Sequence, residues 1–131
     1  MDLRELNTER LDFQRHPWEI IRLEFVVAAL EKIFKNKTAP LNILDIGCGD
    51  LYVSKGISSY FSDGKIVSVD TAYNSCFDLP KIHVVNSLEK IPKRIYSLVL
   101  LLDVLEHIED DRGFLENLIK QYASSDTFFL I

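Results

Sequence analysis

The sequence predicts an α/β protein built on a parallel sheet, and three observations carry that prediction. Apolar, β-prone runs recur at "LNILDI", "GKIVSVD", "KIHVV", "YSLVLLL" and "TFFLI". Segments of helical period separate most of them. The runs are apolar at most positions instead of alternating, as strands covered on both faces are. Strands alternating with helices close into one sheet through right-handed crossovers.

Taken in order, residues 1–16 are polar and charged and are expected to form an N-terminal arm. Residues 17–131 are expected to be a single domain. "PWEIIRLEFVVAALEKIFKN", residues 17–36, predicts one helix. Pro17 suits a first turn, and Ile20, Leu23, Val27, Leu30 and Phe34 recur at helical spacing. "KNKTAP" links it to the first strand. "DLYVSKGISSYF" predicts the second helix, and "GKIVSVD" a second strand that ends at Asp70. Asp70 and Ile82 are separated by 11 residues, short of the dozen or so a helical crossover needs. At most one helical turn, and otherwise a loop, is expected there. "KIHVV" and "YSLVLLL" are the third and fourth strands. "DDRGFLENLIKQYA" is a helix with Asp110 and Asp111 as cap candidates, and "TFFLI" is a fifth strand.

Composition narrows the classes. The chain has 131 residues, a net charge of −5 and 47% hydrophobic residues, which fits one globular domain. An acidic balance argues against a nucleic-acid partner, because phosphate binding needs a concentrated basic face. The one basic cluster, Lys90 to Arg94, is interrupted by Pro92 and reads as a solvated turn. Two cysteines, Cys48 and Cys76, suggest neither a disulfide framework nor a zinc site. No apolar run approaches the ~18 residues of a membrane span, and the charged start is no signal peptide. A cytoplasmic location is therefore expected.

"LNILDIGCGDLYVS", residues 41–54, changes from strand to helix at Gly47-Cys48-Gly49. In open parallel sheets, ligands bind beyond the carboxyl ends of the strands. Glycines there either make a tight turn or let a ligand approach the backbone. Asp70, at the end of the second strand, can accept both hydroxyls of a ribose or merely cap a turn. A dinucleotide fingerprint G-x-G-x-x-G would need a third glycine where Tyr52 stands. Asp45, two places before Gly47, would also repel a pyrophosphate, so a nicotinamide-dependent oxidoreductase is disfavoured. An acid at that place can instead face a cationic ammonium.

"ILDIGCGD", "IVSVD" and "YSLVLLLDVLEHIED", in that order and spacing, resemble successive motifs of class I S-adenosylmethionine-dependent methyltransferases. "DVLEHI" resembles the branch that acts on small molecules. The resemblance spans about residues 40–131 and implies a Rossmann-like, doubly wound parallel sheet of strand order 3-2-1-4-5. It implies S-adenosylmethionine as cofactor and a small-molecule methyl acceptor as partner. Asp45 would face the methionine ammonium, and the backbone of Gly47, Cys48 and Gly49 would wrap the methionine end. Asp70 would bind the ribose. Thr71, Ala72, Asn86 and Ser87 would lie about the adenine, and Leu102 and Asp103 would lie beside the methyl donor. His107 and Asp103 are candidate bases by position, and His107 can equally be a structural residue of the turn. Trp18, in "RHPWE", would either cover the ligand or staple the helix start.

Some residues depart from the pattern. Leu51 stands where the family has a third glycine and is expected to crowd the loop. Ser87 replaces the acid that contacts adenine, and Ser97 a frequent aspartate. The family's sheet has seven strands, so this chain is expected to be truncated after the fifth and to lack the C-terminal antiparallel hairpin. Turnover by these 131 residues is then expected to be weak or absent. The exposed strand edge is expected to pair in a two-fold dimer. The alternative is a catalytically silent domain of the same fold that serves as a binding or regulatory partner.

Overall fold

The computed structural model describes residues 15–35, 40–60 and 64–131. Most of the expected N-terminal arm therefore lies outside the described residues. Helix α1 (Pro17–Ile33) starts where the sequence allows it. His16 caps it, its Nδ1 accepting the Trp18 N–H at 3.4 Å, and Pro17 fills the first position, where its missing N–H leaves no intrahelical bond unmade. The helix ends at Ile33, three residues before the predicted end. Val26 and Leu30 are its fully buried residues.

Strand β1 (Asn42–Ile46) leads into the short helix α2 (Tyr52–Ser58), then β2 (Lys65–Val69). A hairpin follows, formed by β3 (Phe77–Leu79) and β4 (Ile82–Val85). Strand β5 (Leu98–Leu100), helix α3 (Asp111–Tyr122) and β6 (Phe128–Leu130) complete the described chain. Asp110 caps α3 as its type predicts, its carboxylate accepting the Gly113 N–H at 3.0 Å.

The sheet order is β3-β4-β2-β1-β5-β6. The five strands read from the sequence are β1, β2, β4, β5 and β6, and their predicted order, 3-2-1-4-5, is the one found. The all-parallel sheet is corrected: β3 runs antiparallel to β4, with Phe77 opposite Val84 and Leu79 opposite Ile82. The connection after Asp70 therefore holds an extra edge strand and no helix. Pro80 and Lys81 make the turn, Lys81 taking a left-handed backbone (φ 66°). Lysine in the place where such turns favour glycine or asparagine hid the hairpin.

Successive residues of a strand face opposite sides, and this divides the core. Ile43, Ile66, Val84, Leu98 and Leu100 pack under α1 and α2, with Val26, Leu30 and Ile57. Leu44, Val67, Val85, Val99 and Leu101 pack under α3, with Leu118 and Tyr122. Both faces are covered, which is why the strands read as continuous apolar runs. The loops that follow β1, β2, β4 and β5 are left at the carboxyl ends of four neighbouring parallel strands.

Candidate functional site

The loop after β1 folds across the end of β2. Gly47 N–H and Cys48 N–H both donate to Val69 O, at 2.8 and 3.1 Å. Gly47 takes φ 73° and Gly49 φ 54°, in the left-handed region. At Gly47 a Cβ would also stand 2.6 Å from Val104 Cγ2, so turn geometry and close packing both require glycine. Leu51 shares the left-handed backbone, at φ 70°. Its side chain turns into the core beside Val53 and Ile57 and is buried. The expectation that Leu51 crowds the loop is thus corrected: it takes the backbone a glycine would take, and hydrophobic burial holds it there.

Asp70 is tied to the glycine loop. One carboxylate oxygen accepts Gly49 N–H at 3.0 Å, and the other accepts Ala72 N–H at 3.0 Å. Tyr73 completes the clamp by donating its hydroxyl to Gly49 O at 2.7 Å. Burial, then the neighbouring Cys48 and carboxylates, push the Tyr73 phenol up to about 12, so it remains a donor near neutrality. Sequence patterning did not mark Tyr73, whose only available signal was an aromatic residue three places after Asp70.

Asp45 lies beneath this loop and is buried. Its carboxylate accepts the Ser54 hydroxyl at 2.6 Å, and Ser54 Oγ lies 2.8 Å from Ser68 Oγ. Burial raises the Asp45 carboxyl to about 6; Ser54 offsets part of the rise and Asp70 adds to it. Burial and the Asp45 carboxylate also push the Cys48 thiol well up, which removes it as a nucleophile.

The other predicted residues spread along the same edge. Thr71 and Ala72 are exposed after Asp70. Asn86 and Ser87 are half-buried after β4, and Asn86 Oδ1 accepts Lys90 Nζ at 2.7 Å and Cys76 Sγ at 3.5 Å. Leu102 is half-buried; Asp103 is exposed and left-handed (φ 54°). His107 ends a 3-10 turn (Leu105–His107), held by its backbone N–H on Val104 O at 3.0 Å. No hydrogen bond joins His107 to Asp103 among the described residues.

What does hold Asp103 is Arg22 of α1, in an ion pair. Arg15, just before the helix, pairs with Asp50 of the glycine loop, and its guanidinium lies 4.2 Å from the centre of the Tyr52 ring. Sequence patterning gave no sign of either arginine, because a helix surface is expected to carry charges. Together they draw α1 over the carboxyl ends of β1 and β5. Among the described residues no group of three His, Cys, Asp or Glu side chains could hold a metal. No helix there is long and apolar enough to cross a membrane.

A glycine loop clamped to an acid at the next strand end thus lies across the carboxyl ends of a sheet of order β3-β4-β2-β1-β5-β6. The family described as methyltransferase domain matches residues 18–131, and the chain belongs to it. Among curated relatives, the ubiquinone biosynthesis O-methyltransferase of Rickettsia typhi is 29% identical over 108 residues, covering 76% of this chain and 44% of the relative. That of Rickettsia bellii is 27% identical over 109 residues, covering 77% and 45%. The chain thus spans less than half the length of these relatives. In fold, it is similar to the plantazolicin methyltransferase BpumL in complex with a pentazolic desmethylPZN analog and SAH, with TM-score 0.70, 19% identity, and 97% of this chain against 50% of that one. Coclaurine N-methyltransferase bound to N-methylheliamine and SAH gives TM-score 0.61 at 14% identity, with 97% and 41% covered.

Proposed function

We propose that this chain binds S-adenosylmethionine over Gly47–Gly49 and Asp70 and serves methyl transfer to a small molecule. The observation that carries the reading is the clamp of the glycine loop by Asp70 and Tyr73, in a chain of the methyltransferase domain family. The residues present fit the cofactor. Asp70 stands at the end of β2, where a ribose diol can be accepted, and Asp45 lies under the loop, where it favours a cation above. Thr71, Ala72, Asn86 and Ser87 border the place for the base. Cys48 offers backbone, not its thiol, and Leu102 with Asp103 borders the methyl end. The left-handed backbone at Leu51 supports a working loop over a silent one.

When bound, the cofactor supplies an electrophilic methyl group whose leaving group is neutral. The protein's task is then alignment of donor and acceptor, with exclusion of water. An acceptor hydroxyl or amine must also lose a proton. Asp103 or His107, on the segment after β5, would take it. Relatives that are O-methyltransferases favour an oxygen acceptor.

Titration calorimetry with S-adenosylhomocysteine tests the reading. Asp70→Ala should weaken binding roughly ten- to a hundredfold, as loss of hydrogen bonds to a charged group of about 1.5–3 kcal/mol would. The variant also leaves the Gly49 and Ala72 N–H groups unpaired, so both proteins are compared at a temperature where melting curves show them folded. Equal affinity would remove Asp70 from the site.

A further inference from the structure

The core under the glycine loop buries three small polar side chains, Asp45, Ser54 and Ser68, which are 3%, 0% and 0% exposed. They come from three elements. Asp45 of β1 and Ser68 of β2 stand opposite one another in the sheet. They follow Ile43 and Ile66 by two places, so both point to the face that α2 covers. Ser54 of α2 meets them there. Contact with water does not account for their polarity. Apolar side chains of similar size would fill the space and avoid the penalty of burying a charge.

The hydrogen bonds among the three run one way. A carboxylate only accepts, so the Ser54 hydroxyl gives its one proton to Asp45, at 2.6 Å. Ser68 Oγ, 2.8 Å from Ser54 Oγ, is then the donor of that pair and Ser54 the acceptor. The order Ser68 to Ser54 to Asp45 suits an ionised Asp45. The rest of the surroundings oppose its charge. Burial does so most, and Asp70 at the end of β2 adds a like charge. The Cys48 thiol beside it stays protonated. Its neighbour in β5 is Leu100, and Lys55 of α2 is exposed. Arg15 and Arg22, which reach this end of the sheet, are held by Asp50 and Asp103.

We propose that Ser54 and Ser68 are positioning residues, whose relayed hydroxyls keep Asp45 a carboxylate so that the glycine loop takes a ligand with a cationic end. The inference rests on the cofactor reading above. Aligned hydroxyl dipoles strengthen one another in a water-poor core. A hydrogen bond to the charged form of an acid favours that form. With both hydroxyls in place the site keeps its charge near neutrality although no cation of the protein pairs with Asp45 among the described residues.

The test compares two ligands of the 131-residue protein by titration calorimetry between about pH 5.5 and 8.5. S-adenosylhomocysteine carries the ammonium, and 5′-methylthioadenosine shares its nucleoside and thioether but has none. The preference for S-adenosylhomocysteine should be level at high pH and fall as Asp45 takes up a proton. Ser54→Ala should move that fall to higher pH and lower the preference roughly three- to tenfold at pH 7, with 5′-methylthioadenosine bound as before. Ser68→Ala leaves the bond to Asp45 and should move the fall the same way by less. Both variants are compared with the parent where melting curves show them folded. A pH profile that neither variant moves, or an equal weakening of both ligands, would overturn the proposal and leave the serines a packing role. Should Ser54→Ala not fold, the profile of Ser68→Ala decides alone. A parent that binds neither ligand would end the cofactor reading itself, whereas binding of both with an unmoved profile sinks this inference alone.

Discussion

Asp45 is a carboxylic acid placed where water hardly reaches it. Its folded value of about 6 lies above the ordinary 3.8. Between those two values the folded chain holds a proton that the unfolded chain has released. Stability must then fall as pH rises from about 4 to about 6, and stay level above. A difference of that size is worth on the order of 2–3 kcal/mol. Asp45→Asn keeps an acceptor for the Ser54 hydroxyl without the charge. Urea unfolding across this range should show the variant gaining on the parent as pH rises, with the largest difference near neutrality. Parallel curves for the two proteins would show that Asp45 is not ionised at this cost. Leu51 illustrates a second balance at the same scale. A left-handed leucine is strained by roughly 1–2 kcal/mol, whereas full burial of its side chain contributes about 1.5–3 kcal/mol. Burial outweighs the strain and fixes the backbone.

Elements are joined here by small contacts with large leverage. Leu23 of α1 rests on Gly56 of α2 so closely that a Cβ there would lie 2.6 Å from its methyl groups. A glycine inside a helix costs about 1 kcal/mol against alanine, so close packing is the physical reason to keep it. Gly56→Val should lift α1 and cost about 1–3 kcal/mol, as overpacking does. Combining it with Leu23→Ala should show a coupling of at least about 0.5 kcal/mol in a double-mutant cycle of denaturant midpoints. Additive losses would mean that α1 does not bear on Gly56. The hairpin of β3 and β4 shows the same economy. A two-residue turn at Pro80 and Lys81 lets the chain gain an edge strand in a connection too short for a helix.

The whole molecule is a sheet with unequal edges. One is the short β3, whose Asp78 pairs with His83 of β4, 2.6 Å apart. At the other, β6 pairs with β5 alone among the described residues. Phe128 there is 46% exposed and meets Phe34 edge-on, with ring centres 5.7 Å apart. An apolar strand with one side unpaired is a template for another strand. Phe128→Lys places a charge on this edge and should lower any self-association of the 131-residue protein that runs along β6, read as mass by light scattering behind a sizing column. The same mass distribution in both proteins would show that the edge is not used.

The sequence by itself determined the strand runs and the glycine loop, because each rests on local chemistry. The strand order followed from the resemblance of its motifs to a known family, since no local signal says which strands are neighbours. Two-faced burial makes strands apolar throughout, glycines permit left-handed backbone, and Asp110 announces a helix start. The same local signals put Asp45 and Asp70 at the ends of β1 and β2. Tertiary structure alone decided the rest. It added β3, whose pairing is repaid only by β4 and whose turn lacks the usual residues. It sent the side chain of Leu51 into the core, and it brought Tyr73, Arg15 and Arg22 to the loop ends. Those three make contacts across 24, 35 and 81 residues of chain. No periodicity or motif encodes such partners, because a hydrogen bond or ion pair between distant segments exists only once the sheet has placed their strands side by side.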